Sequence, residues 1–259
     1  MHLISDSNQI GMKERMTILQ LRSTIFMQRN IGYTPDVSNQ FRDLLMPSAK
    51  VYGIPQPGVP VLGVNPTAPQ YGMPWRLFSK NEDGKEYNIA FQPGKIDIIL
   101  ALAKIWSYDD SLERDFCKQS IDWFAHILGI DESATISRIA YAPLYAFEKN
   151  TDNDSDPIWS KLLRKSIIGG MATQDVNLSF LLKSIVKFGI VDIQMNFLHN
   201  IFDGIIQSKT NEEPRKALLF QLDLNSVPEK PLNLRKDEMA AFFNGIVDIK
   251  SQLVDNVES

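Results

Sequence analysis

Three observations in the sequence predict an α+β fold of mostly antiparallel sheet with flanking helices. The runs "PWRLFSK", "KEYNIAFQ" and "KIDIILAL" alternate apolar and polar residues and are separated by turn sequences, which reads as a β-meander. Two longer stretches, 112 to about 129 and about 234 to 257, place apolar residues at helical spacing. The order strand, helix, three strands, helix occurs twice, so two similar units are expected, about 14–130 and 134–259, packed into one domain over 1–259.

The first unit opens with "MTILQLRSTIFMQ" (16–28), a half-buried strand with Leu19, Leu21, Ile25 and Met27 on one face and Gln20, Arg22, Thr24 and Gln28 on the other. "DVSNQFRDLLMP" (36–47) predicts a short helix with Phe41, Leu44 and Leu45 on one side, stopped by Pro47. The stretch 53–78 then holds six prolines and four glycines. Only about fifty residues precede it, too few to fold alone, so 53–74 is expected to be an ordered surface loop of one domain. Its Pro57-x-x-Pro60 and Pro66-x-x-Pro69 match the minimal polyproline ligand pattern, while the interspersed glycines weaken such a helix. In the meander, Asp83-Gly84 suits a turn of positive φ, and Gln92-Pro93-Gly94-Lys95 a type II turn. Asp110-Ser111 is expected to cap a helix whose stripe includes Leu112, Phe116, Phe124, Ile127 and Leu128.

The second unit starts with a strand over 135–147, and Asp156-Pro157 then suits the start of a short helix, "PIWSKLLRKS". Two apolar runs follow, 176–188 and 190–202. Leu178, Leu181, Leu182, Ile185 and Val186 also fit a helix ended by Gly189, whereas Val191, Ile193, Met195 and Phe197 fit a strand; the parallel with the first unit favours two strands. "KALLFQLDLNSV" is the next strand, and the closing helix carries Met239, Phe242, Phe243, Ile246, Ile249 and Leu253.

This order of pieces, with the stretches "WRLFSKNEDGKEYNIAFQPGKIDII", "ISRIAYAPLYAF", "LLFQLDLNSV" and "DEMAAFFNGIVDIKSQL", resembles a sporadically distributed, uncharacterised prokaryotic protein family of about this length. The chain departs from that family where "FFNG" stands near the place of a histidine in the closing helix. The resemblance implies no established activity. The family's patchy distribution resembles that of defence and toxin-antitoxin cassettes, which is an association of context and not a mechanism.

Composition excludes several classes. The net charge of −4, from 27 basic and 31 acidic residues, lacks the footprint of a dedicated nucleic-acid binder, although a local patch fits inside such a total. Cys117 is the only cysteine, which excludes an internal disulfide and a cysteine-based zinc site. No run approaches the roughly eighteen apolar residues of a membrane helix, and the N-terminal stretch lacks a signal-peptide core, so a cytoplasmic protein without membrane contact is expected.

The catalytic and cofactor patterns in the chain are each incomplete. Asp152, Asp154 and Asp156 have calcium-loop spacing, but Pro157 and Leu163 stand where such a loop needs Gly and Glu, so a helix-capping turn is expected and no metal. Cys117 and His126 lie nine residues apart on one predicted helix, which at about 100° per residue sets them on opposite faces. Cys117 is therefore expected to be a small core residue, and His199, at the end of an apolar run, a structural histidine and not a catalytic base. Ser184-Ile-Val-Lys187 matches S-x-x-K without its companion motifs, and neither Gly84-Lys85 nor Gly94-Lys95 belongs to a phosphate-binding loop. No catalytic residue and no cofactor is expected, and the reading is a non-catalytic binding or regulatory protein with a protein partner or self-association. The alternative is a nucleic-acid contact through Arg76, Arg138, Lys161, Arg164 and Lys165: "WRLF" and "RIAY" set arginine beside aromatics on strands, and "KLLRK" is a basic helix. Against it, Trp75, Phe78 and Tyr141 would be core residues and the two strand arginines would reach past them to water.

Overall fold

A computed structural model describes residues 16–54, 67–129, 135–148, 177–206 and 215–258. Ten strands form one antiparallel sheet: β1 (Met16–Met27), β2 (Lys50–Gly53), β3 (Trp75–Lys80), β4 (Lys85–Gln92), β5 (Lys95–Ser107), β6 (Ile136–Tyr141), β7 (Leu144–Glu148), β8 (Asn177–Phe188), β9 (Val191–Ile206) and β10 (Arg215–Ser226). Their order is β2-β3-β4-β5-β1-β6-β10-β9-β8, with β7 also between β1 and β10. The described helices are α1 (Pro35–Leu45), α2 (Asp110–Gly129) and α3 (Lys236–Glu258). The α+β class expected from the alternating runs and helical stripes is the class observed.

The helices pack on one face of the sheet, as the ring contacts show. Phe41 of α1 meets Trp75 and Phe91, Trp123 of α2 meets Tyr87, and Phe242 of α3 meets Phe188. Trp75 anchors this core: it is fully buried, stacks on Phe91 at 4.2 Å, and its indole N–H donates to the Ile31 carbonyl at 3.0 Å. None of the described helices lies on the opposite face, here termed the open face.

The meander forms where its turns allow, with Gly94 at φ 70° between β4 and β5. The apolar runs after 176 are two strands, joined at Gly189, whose φ of 59° a β-branched residue would resist. Several local expectations are corrected. The register shifts between Ile18 and Gln20, so Ile18 and Leu21 both face the core while Leu19 packs with Ala146, Ala217 and Leu219 instead. Leu44 is 45% exposed, because α1 turns only Phe41 and Leu45 fully inward. The expected strand 135–147 is two strands, β6 and β7, interrupted at Ala142 and Pro143, where proline supplies no N–H to a ladder. Helix α2 is capped one residue earlier than expected: the Asp109 carboxylate accepts from the Ser111 N–H at 2.8 Å and its hydroxyl at 2.6 Å.

The proline-rich loop is described at its ends, and residues 55–66 lie outside the described residues. The Gly53 N–H donates to the Thr67 carbonyl at 2.8 Å and the Ile54 N–H to that of Pro74 at 3.1 Å, which ties both ends of the loop to each other. The expected helix after Asp156-Pro157 and the acidic turn before it also lie outside the described residues.

Candidate functional site

The open face can be read row by row from the strand register, because residues paired across strands share a face. One row runs Tyr52, Arg76, Ala90, Asp97, Thr24, Ala140, Asn225, Asn196, Lys183 across β2, β3, β4, β5, β1, β6, β10, β9 and β8. A parallel row runs Lys50, Phe78, Asn88, Ile99, Arg22. A third sets Arg138 opposite Phe26, and Phe26 opposite Lys95. Arg22, Arg76 and Arg138 thus share one face, each half-buried.

Their charge is unmatched within the described chain. The Nε atoms of all three are shielded from water and have no hydrogen-bond partner, as does the side-chain oxygen of Asn88. The Arg138 guanidinium lies 4.5 Å from the Phe26 ring centre, and that of Arg76 lies 5.8 Å from the ring of Tyr52. The nearby carboxylates are already engaged. Asp97, 2% exposed, accepts from Thr24 Oγ1 at 2.6 Å and Gln92 Nε2 at 2.9 Å and pairs with Lys95 at 2.9 Å. Glu86 pairs with Lys80 at 3.1 Å.

Of the sequence-predicted contact residues, the structure places Arg76 on β3 and Arg138 on β6 on this one face, whereas Lys161, Arg164 and Lys165 lie outside the described residues. Trp75 and Tyr141 are core, as weighed against the contact reading, but Phe78 is half-buried on the open face. Arg22 was missed as a contact residue, although strand alternation had already put it on the polar face of β1.

A second charged cluster lies on the covered face. Lys250 of α3 and Glu113 of α2 are both fully buried and pair at 3.0 Å. Lys250 Nζ also donates to Asp110 Oδ1 at 3.0 Å and to the Tyr108 hydroxyl. Glu113 accepts from Tyr141 at 2.7 Å and Tyr145 at 2.8 Å. Burial, reinforced by the Glu113 charge, pushes both tyrosines well above the ordinary phenol range, so they act here as fixed donors. Burial alone would raise Asp110, but the bonds from Tyr108 and Lys250 outweigh it and hold the carboxyl below its usual value. One turn on, Cys117 is buried and its thiol is pushed up by burial and by Glu113, the opposite of an activated nucleophile. His126 is exposed, with Nδ1 2.7 Å from the Asp122 carbonyl, so it forms no dyad with Cys117.

His199 of β9 is 4% exposed, stacked on Phe180 at 4.5 Å, and neither ring nitrogen has a partner. Burial lowers its pKa to about 4. Among the described residues no group of His, Cys, Asp and Glu is arranged to hold a metal ion, and no helix is long and apolar enough to cross a membrane. No protein-family model, curated protein or solved structure matches this chain.

Proposed function

We propose that the chain is a non-catalytic binding or regulatory protein and that the open face of the sheet is where it meets its partner. The observation that carries this is the set of three open-face arginines whose Nε–H groups are withdrawn from water without a partner among the described residues. A buried polar group left unmatched costs about 1–3 kcal/mol, so the sheet carries three guanidinium groups on this face at a cost that no ion pair among the described residues offsets. The Lys250 cluster does not compete for the role, because its members are occupied by one another.

The wider setting belongs to the same proposal. The chain is taken as one domain of two similar units, supported by the mirrored lanes β3-β4-β5-β1 and β8-β9-β10-β6. It is also taken as a cytoplasmic member of the sporadic prokaryotic family named above, and a toxin or nuclease gene beside its own would support a role in such a cassette. Self-association is a second reading, favoured by the sheet-edge strand β8, where Leu181, Leu182 and Ile185 are 50%, 52% and 69% exposed. Sedimentation of the protein and of its Leu181→Lys, Ile185→Lys variant decides that point: a monomer in both rejects it.

The open-face reading is tested by photo-crosslinking in the source cell. A photoreactive side chain at Asn88 or Ile99 should yield adducts that the same group at Lys118 or Asp122, exposed on α2, does not. Equal adducts from both sets of positions, or none from the open face, reject it.

A further inference from the structure

We propose that the open face binds single-stranded nucleic acid, with Arg22, Arg76 and Arg138 holding phosphates and the rings of Phe26, Phe78 and Tyr52 stacking on bases. This rests on the open-face reading above and names its ligand. Arg76 and Arg22 sit three lanes and two residues apart, about 16 Å at the usual strand spacing, and Arg138 lies one lane over, opposite Phe26 and four residues along β1 from Arg22, about 14 Å. Three cations are thus spread over a platform of paired strands and not clustered at one point. Such a spread suits a polyanion that lies across the sheet better than a single carboxylate or phosphate.

The local charge balance favours a polyanion despite the chain's net −4. On this part of the face Asp97 and Glu86 each pair with a lysine, so the arginines have no carboxylate partner among the described residues. A guanidinium stacked on a ring, as Arg138 lies over Phe26, directs its N–H groups within its own plane, the geometry that suits bidentate bonds to phosphate. The rings decide between nucleic-acid forms and against an acidic peptide. Phe26, Phe78 and Tyr52 are half-buried within the sheet surface, where unpaired bases can lie on them but the stacked bases of a duplex cannot. An acidic peptide would use the arginines and leave the rings idle.

The test is fluorescence anisotropy with the full chain at about 50 mM salt and four probes: mixed-sequence single-stranded RNA and DNA of about 12 nucleotides, the matching duplex, and an oligoglutamate of the same length. The expected result is binding to a single strand at least about tenfold tighter than to duplex or oligoglutamate, as one stacked base already supplies. Log affinity should fall linearly with log salt, and the slope should lose about 2 in the Arg22→Gln, Arg76→Gln, Arg138→Gln variant, at about 0.7 per phosphate contact. Phe26→Leu with Phe78→Leu should weaken single-strand binding about tenfold and leave the slope unchanged. Should the glutamine variant fail to fold, the three Arg→Lys changes must retain the slope while losing affinity.

No single-strand binding, oligoglutamate binding as tight, or a glutamine variant that binds like the parent overturns the proposal. Protein adducts from Asn88 and Ile99 in that event leave the wider open-face reading standing; no adducts of any kind remove both.

Discussion

Lys250 on the covered face meets Glu113, Asp110 and Tyr108, whereas Arg22, Arg76 and Arg138 on the open face meet no carboxylate among the described residues. Both sets place cations on the same sheet, yet the surroundings differ. The covered cluster joins α2, α3 and, through Tyr141 and Tyr145, strands β6 and β7, and every ionised group has several partners. Arg76 and Arg138 instead rest against aromatic rings, and the Nε–H groups of all three arginines have no partner among the described residues. Charge in the first place joins two helices to the sheet; charge in the second meets no carboxylate among the described residues. The consequences differ: removing a partner from the closed site leaves an ion stranded, while removing one of the half-buried arginines strands no ion among the described residues.

The largest effect should therefore come from Lys250→Ala. It leaves Glu113 without its cation in a site closed to water, a loss of about 3–5 kcal/mol. At about 2–4 °C per kcal/mol for a chain of this size, the thermal midpoint should drop by roughly 10 °C or more. Adding Glu113→Gln to a Lys250→Met background should recover part of the loss, because the neutral amide oxygen still accepts from a tyrosine while no charge is stranded. Calorimetry of the two single variants and the double checks this. Additive losses would mean that the pair does not act as a unit.

The covered cluster was half legible in the sequence. Glu113 falls in the stripe of Phe116, Cys117, Ser120 and Phe124, and Lys250 in that of Met239, Phe242, Phe243 and Ile246; a charge inside an apolar stripe is a signal of a buried partner. What the stripe cannot supply is the partner, since Lys250 and Glu113 are 137 residues apart and the tyrosines sit on other strands. The open face shows the same limit. Alternation puts Arg22 on the polar side of β1, but its kinship with Arg76 and Arg138 needs the lane order, with β6 beside β1 and β3 three lanes away. The elements that alternation misread are those where the chain breaks its own period: the register shift after Ile18, the interruption at Pro143, and the four-residue strand β2, too short to show any period. Long regular pieces were legible because each repeats its signal several times.

His199 sharpens the comparison, being on the covered face but without partners. In the unfolded chain its ring takes up a proton near pH 6.5, while in the folded protein burial delays this to about pH 4. Between these values the unfolded chain holds more protons, so stability must fall as the pH is lowered through the window and level off below it. The full contribution is about 3 kcal/mol. Denaturant unfolding at pH 7 and pH 4.5 should show a smaller loss for His199→Phe than for the parent, since phenylalanine keeps a ring against Phe180 without the proton. Equal losses would show that the ring titrates alike in both states.

Asp97 asks whether the open face has a structural part of its own. It is buried under Thr24, Gln92 and Lys95, bridging β1, β4 and β5. Asp97→Ala should cost about 2 kcal/mol by removing charge-assisted bonds from the centre of the sheet. That would set it beside the covered cluster and apart from the arginines on its own face. Urea midpoints check it, and a shift no larger than that of Arg76→Gln would erase the distinction.

The smallest effect is the one that bears most on function. Replacing Arg22, Arg76 or Arg138 by Gln removes no ion pair among the described residues, and at Arg76 and Arg138 it keeps a chain that covers part of the neighbouring ring. Each change should therefore lower stability by no more than about 1 kcal/mol, because loss of the unmatched buried Nε–H offsets part of what the lost contacts cost. The cation–ring contacts set the upper limit, at about 0.5–1 kcal/mol for exposed sites, and Arg138 over Phe26 should be the most sensitive of the three. Urea unfolding of the single variants, with the denaturant slope unchanged, checks the prediction. A loss of several kcal/mol at any of them would mean that the guanidinium is held by the fold after all, and a group spent on folding is not free to grip a ligand. Near-neutral variants that also lose the partner would separate the two faces by experiment, one built to hold the molecule together and the other to hold something else.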